Sequence, residues 1–175
     1  MKLFEILQPT GNQLTPEQIS WLESMNITNY EYDSVRGLVN VDGNVDISHK
    51  NLTSIPVQFG YVGGYFHCGN NNLTTLQGSP REVGGNFNYD NNKLTTLQGA
   101  PREVGGHFDC RYNNLTTLQG GPREVGRSFN CYHNKLTTLQ GSPREVGGNF
   151  VCYNNKFKTE PDHSFIDVGG EFVWK

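Results

Sequence analysis

The sequence predicts a mainly β solenoid, a stack of about seven 21-residue coils with a parallel sheet on one face and a helical cap at the N-terminus. Three observations predict it. Leu52, Leu73, Leu94, Leu115 and Leu136 recur every 21 residues, with Phe157 in the sixth place. Three further apolar columns keep the same register: Ile55, Leu76, Leu97, Leu118 and Leu139; Val62, Val83, Val104, Val125 and Val146; and Phe66, Phe87, Phe108, Phe129 and Phe150. Five residues after each phenylalanine stands an asparagine, at 71, 92, 113, 134 and 155. A unit this short cannot bury its own apolar side chains, so successive coils must stack and share one continuous interior.

The elements follow in chain order. Thr15-Pro16-Glu17-Gln18 places a capping hydroxyl before a proline at the first helical position, with Gln at the third. Ile19, Trp21, Leu22 and Met25 then give a short helix over about 15–25 an apolar side that can cover the first coil. Val41, Val45 and Ile47 fill the valine, phenylalanine and cysteine columns in degenerate form. In each full coil the phenylalanine begins a short alternating strand. Phe87 and Tyr89 point inward while Asn86 and Asn88 point outward, and Cys68, Cys110, Cys131 and Cys152 take the inward Tyr89 place in other coils. The asparagine column stands where the chain leaves the strand, and its amides can bond backbone groups of their own and the adjacent coil. Phe157 to Pro161 breaks the repeat, and residues 168–174 supply one last strand whose outer edge needs a cover. The organisation read from this is a cap over 1–37, a solenoid over 38–156 and a capping coil over 157–175.

The spacing Phe87, Tyr89, Asn92, Leu94 resembles the later half of the leucine-rich-repeat signature, and it recurs in the neighbouring coils. The closing Leu-Thr-Thr-Leu-Gln-Gly-x-Pro-Arg-Glu-Val-Gly is similar to the short-repeat bacterial subclass and to small repeat proteins of tailed bacteriophages. One departure stands out. The first leucine of the signature falls on Gly63, Gly84, Gly105, Gly126 and Gly147, with valine one residue earlier, so the entry to each strand is expected to be bulged or otherwise unlike the standard repeat. The resemblance implies binding rather than a particular chemistry, since function lives in the site and not in the scaffold.

Composition narrows the function classes. With 14 Lys+Arg against 17 Asp+Glu the net charge is −3, which lacks the basic surface of a sequence-independent nucleic-acid binder. No stretch approaches a membrane span and MKLFEILQPT lacks a secretory apolar run, so the chain is expected in the cytoplasm, with reduced thiols. No phosphate loop, zinc-protease, serine-hydrolase or Cys-x-x-Cys motif occurs, so no enzyme, cofactor or metal is expected. The close pairs His67/Cys68 and His107/Cys110 do not amount to a site, because alternation points the thiols in and the imidazoles out. Arg81, Arg102, Arg123 and Arg144 form a column beside Glu82, Glu103, Glu124 and Glu145, read as a solvated side whose opposite charges offset one another.

The coils differ from one another mainly on the outward strand positions and the turn after them. Tyr65, His67, Asn88, His107, Asp109, Arg111, Tyr112, Tyr132, His133 and Tyr153 vary there, joined by Arg127, which replaces the second glycine of a Gly-Gly pair. Tyr and Arg supply anchors and Asp and Asn supply directional hydrogen bonds, a mixture suited to holding another protein. The resemblance extends this to a phage protein that binds and inhibits a host or anti-phage defence factor. Two other readings stay open: a small-molecule or nucleotide site around His107, Arg111, Arg127, Tyr132 and His133, and self-assembly, including a homodimer through the C-terminal edge strand.

Overall fold

Each 21-residue period becomes one turn of backbone in the computed structural model, which describes residues 13–175; residues 1–12, the first part of the cap read over 1–37, lie outside the described residues. Equivalent residues stack in register. Phe66 pairs with Phe87, Phe87 with Phe108, Phe108 with Phe129, Phe129 with Phe150 and Phe150 with Phe172, in a parallel sheet of seven strands that begins at Val45–Asp46. Seven rungs bound six complete turns, one fewer than the seven coils expected. The shortfall arises at the ends, where the first and last rungs each lack a full turn beyond them. The last turn also carries one extra residue, since Val146 pairs with Val168 and Phe150 with Phe172.

The entry is not bulged but differs from the standard repeat in another way, since the valine column forms a second sheet. Glu82–Val83, Glu103–Val104, Glu124–Val125 and Glu145–Val146 pair in parallel, in a sheet of eight strands that includes Leu38–Val41, Phe59–Val62 and Asp167–Val168. The glycines of the departed signature turn the corner between the two sheets. A Cβ on Gly84 would lie 2.4 Å from the Gly63 carbonyl oxygen, and one on Gly105 would lie 2.3 Å from that of Gly84. The backbones of successive corners touch, so leucine has no room there.

Inside, Phe66, Phe87, Phe108, Phe129 and Phe150 are fully buried, and from Phe87 to Phe150 the rings stack at 5.0–5.1 Å between centroids. Each such side chain removed from water stabilises the stack by about 1.5–3 kcal/mol. All four cysteines are buried free thiols, as alternation requires, and burial pushes the Cys68 and Cys152 thiols up to about 12. Tyr89 occupies the same column, where its hydroxyl meets Ser79 Oγ at 2.8 Å.

The asparagine column does what its place in the repeat implies. Asn113 accepts the Leu94 N–H at 2.9 Å and donates to the carbonyls of Tyr89, Cys110 and Arg111 at 3.0, 3.1 and 3.2 Å. Asn92 and Asn134 repeat this set one coil below and one above. A second ladder, not anticipated from the sequence, precedes the phenylalanines. Asn86 Oδ1 accepts the His107 N–H, His107 Nδ1 the Ser128 N–H, and Ser128 Oγ the Asn149 N–H, at 2.9, 3.2 and 3.2 Å.

The N-terminal cap is a helix, α1, over Pro16–Ser24, with Thr15 closing a capping box with Gln18. Leu22 enters the core, Gln18 Nε2 reaches the Pro56 carbonyl at 2.8 Å, and Ile19, expected on the apolar side, is 38% exposed. The cap also contains a strand, Glu31–Asp33, which pairs antiparallel with Leu38–Val41 and closes that edge of the valine sheet. At the other end the single strand expected over 168–174 is two strands, Asp167–Val168 and Phe172–Val173, one in each sheet and separated by the Gly169-Gly170 corner.

Replacing Asn113 by alanine leaves one N–H and three carbonyls without their shared partner, and is expected to destabilise the chain by on the order of 3 kcal/mol. Chemical denaturation measures it; a loss below about 0.5 kcal/mol, the range of an ordinary surface change, would show that the amide ladder does not hold the coils.

Candidate functional site

The turn between each outward strand and its ladder asparagine contains one residue in the left-handed region. Asn70, Asn91 and Asn154 take it at φ 56°, 50° and 52°, as asparagine readily does. In the two coils between, Tyr112 and His133 take the same conformation at φ 53° and 52°, as His49 does at 54° in the first coil, and it is uncommon for a residue of tyrosine's bulk. The strained conformation places their rings side by side, stacked at 4.4 Å between centroids with planes 13° apart.

The column before it carries a second stack. Tyr132 and Tyr153 lie 4.6 Å apart with planes 11° from parallel, and Tyr112 meets Tyr132 edge-on at 5.6 Å. Arg111 continues this column downward. Its guanidinium donates to the Tyr132 hydroxyl and lies 5.6 Å from the centre of that ring. Asn154 Nδ2 approaches His133 Nε2 at 3.1 Å, which fixes the upper end. The structure therefore gathers Arg111, Tyr112, Tyr132, His133 and Tyr153 into one surface, with Tyr112 the most open at 44% exposed.

Below this surface the charges are acidic. Asp109, expected on an outward strand position, and Asp90, in the turn one coil below, are buried, at 9% and 5% exposed. They do point off the sheet, but neighbouring side chains of the turn cover them. Asp109 Oδ1 accepts the Arg111 backbone N–H at 3.1 Å, and Asp109 Oδ2 lies 3.3 Å from Arg111 Nε. Burial pushes the Asp109 carboxyl up to about 6; the Arg111 N–H and guanidinium pull it down, and the charge of Asp90 adds to the rise. Asp90 accepts from Asn91 at Oδ2, while its Oδ1 is buried with no hydrogen-bond partner. His67 stands between two acids, with Nδ1 3.8 Å from Asp46 and Nε2 3.9 Å from Asp90.

The remaining residues singled out by the sequence do not join the cluster. Asn88 is half-buried and accepts the Asp90 N–H at 2.8 Å. His107 is half-buried and serves the second backbone ladder. Tyr65, at 39% exposed, and Arg127, also exposed, stand at the corner end of the strand, across the sheet from the aromatic turn. Asp90 is the residue that mattered and was not selected; its signal was an acid in a turn column otherwise holding Gly69, Arg111, Tyr132 and Tyr153.

Elsewhere, a groove of about 980 Å³ runs beside Thr75, Gln77, Arg81, Thr96, Gln98 and Arg102, and none of the cluster residues lines it. Of the four neighbouring arginine and glutamate pairs read as offsetting one another, Arg123 and Glu124 approach, at 3.7 Å and both half-exposed, a contact worth at most ~1 kcal/mol. Among the described residues no group of three His, Cys, Asp or Glu side chains is placed to hold a metal, and no helix is long and apolar enough to cross a membrane.

The raised Asp109 carboxyl makes stability depend on pH with a definite sign. The folded chain binds that proton more tightly than the unfolded chain, so stability is greatest below the ordinary carboxylate range and falls as pH rises to about 6. Relative to Asp109→Asn, the native chain is expected to lose on the order of 2 kcal/mol across that window. Urea unfolding of both forms on each side of it measures the difference, and parallel curves would contradict the burial argument.

Comparison with protein-family models, with curated proteins and with solved structures found no match to this chain.

Proposed function

We propose that the protein is a non-enzymatic scaffold that binds another protein at the turn carrying Arg111, Tyr112, Tyr132, His133 and Tyr153. One observation carries this reading. Tyr112 and His133 occupy left-handed positions that cost of order 1 kcal/mol or more for bulky residues, where the coils on either side use asparagine. Strain of this kind gathers at functional sites, and here it sets two rings in a fixed stack on a partly open surface. Tyrosine and arginine are the residues that most often anchor protein partners, because they combine a large rigid contact area with polar groups.

The repeated coil gives the surface its rigidity, and the similarity of the repeats to leucine-rich repeats of tailed bacteriophages supplies the finer part of the reading. On that reading the chain acts in the host cytoplasm, and the bound protein is a host factor, including a component of antiviral defence. An open surface of stacked rings suits a protein better than a small molecule, which needs enclosure on most sides.

The test exploits the internal repeat. Tyr112→Asn with His133→Asn restores the residue that other coils carry, so the double variant is expected to fold with stability equal to or above that of the native chain. It is expected to lose the partner captured by the native chain from a bacterial lysate, as is Arg111→Ala with Tyr132→Ala. Identical captured proteins for native and variant chains would remove this turn as the binding surface.

A further inference from the structure

The cluster contains a group that a simple docking surface does not require. A buried acid sits under an arginine that touches the stacked rings, and at the equivalent strand position the two coils above it carry Asn130 and Val151. We propose that Asp109 is a proton-operated latch on Arg111: ionised, it holds the guanidinium down against the turn, and neutral, it frees the cation to face the bound protein. The inference rests on the scaffold reading above and adds a control to the same site.

The geometry supports a tie made by charge rather than by directed hydrogen bonds. Arg111 Nε lies 3.3 Å from Asp109 Oδ2, yet Nε is buried with no aligned hydrogen-bond partner. A contact of this kind depends on the carboxylate charge and weakens sharply when that charge is lost, because no strong directional bond remains. The second contact of the guanidinium, the Tyr132 hydroxyl, is independent of the carboxylate and acts as the pivot.

Burial favours uptake of the proton by Asp109, while the Arg111 backbone N–H and guanidinium oppose it. Asp90 stands on the rung below, with one oxygen unpartnered, and adds like charge. His67 lies beyond Asp90, with Nε2 3.9 Å from it, and Asp46 lies beyond His67, 3.8 Å from Nδ1. On its own turn Asp109 faces Arg111, and on the rung above stand Asn130 and Tyr132, neither of which brings an acidic charge. Burial and this surrounding place the carboxyl at about 6. Below that pH the acid is neutral and Arg111 is released; above it the latch is closed.

The experiment uses the native chain alone. Side-chain NMR of a ¹⁵N,¹³C-labelled sample follows the Asp109 carboxyl carbon, the Arg111 Nε–H and the Tyr132 ring from one pH unit below to one above about 6. The three signals are expected to move together with a single midpoint, and in Asp109→Asn the Arg111 and Tyr132 signals are expected to stay at the acid-side position throughout. Arg111 and Tyr132 signals that hold still while the native Asp109 carboxyl titrates would overturn the latch, as would the same movement persisting in the variant. The native titration decides the matter even where the variant folds poorly. Because no bound protein is needed, a flat titration sinks the latch and leaves the scaffold reading standing, whereas an intact titration with no captured protein does the reverse.

Discussion

The fold depends on one repeated demand: every coil must turn out of its sheet and back into the interior while leaving no backbone polar group unpaired. Regular strands meet that demand through their ladders, but a sharp turn leaves some of its backbone groups outside the coil-to-coil bonds. The asparagine amide meets it by bridging two coils at once. Asn113 takes an N–H from Leu94 and gives protons to carbonyls of its own turn and of the coil below. Aspartate has the shape and lacks the donors; glutamine has the groups and too long a stem. The Phe column stacks at its 5 Å spacing because its residues face one another in parallel strands paired at the ordinary rung distance.

The glycine corners impose the complementary constraint. With carbonyl oxygens of one corner 2.3–2.4 Å from where a Cβ of the next would lie, any side chain there forces adjacent coils apart. Interior positions and the first glycine of each corner are thus both constrained, one by packing and the other by backbone contact. Variation is left to the outward residues and to the turn. The uniformity of most of the chain and the diversity of a narrow strip are two results of the same geometry.

The columns were legible because a period of 21 shared by four apolar series has no other economical explanation. Inward cysteines and the role of the asparagines followed from alternation and from amide chemistry. The second sheet was not legible, since Glu82–Val83 is too short for its alternation to register and the glycines after it looked like a damaged motif. Nor was the burial of Asp90 and Asp109. Alternation gives the direction in which a side chain leaves the sheet, but whether it meets water depends on longer neighbours such as Arg111 folding over it. The aromatic surface was half visible: its residues stood out as variable, while the left-handed backbone that joins Tyr112 to His133 could be inferred only by noticing that asparagine fills their place in three other coils, with His49 in the first.

That backbone links the architecture to the site. Tyr112 and His133 each immediately precede a ladder asparagine, Asn113 and Asn134, whose amides are pinned by bonds into two coils. The turn cannot relax toward a conformation kinder to a bulky residue without breaking those bonds, so the strain is held by the ladder. A flexible loop carrying the same rings would have to order them on binding, at about 0.5–1.5 kcal/mol for each side chain immobilised. Here the rings are ordered already, and the cost has been moved into folding, where a long stack of identical coils has stability to spare over any single turn. A repeat protein that binds through one or two atypical coils therefore needs the typical ones, and their sameness is what lets the exceptional turn stay in place.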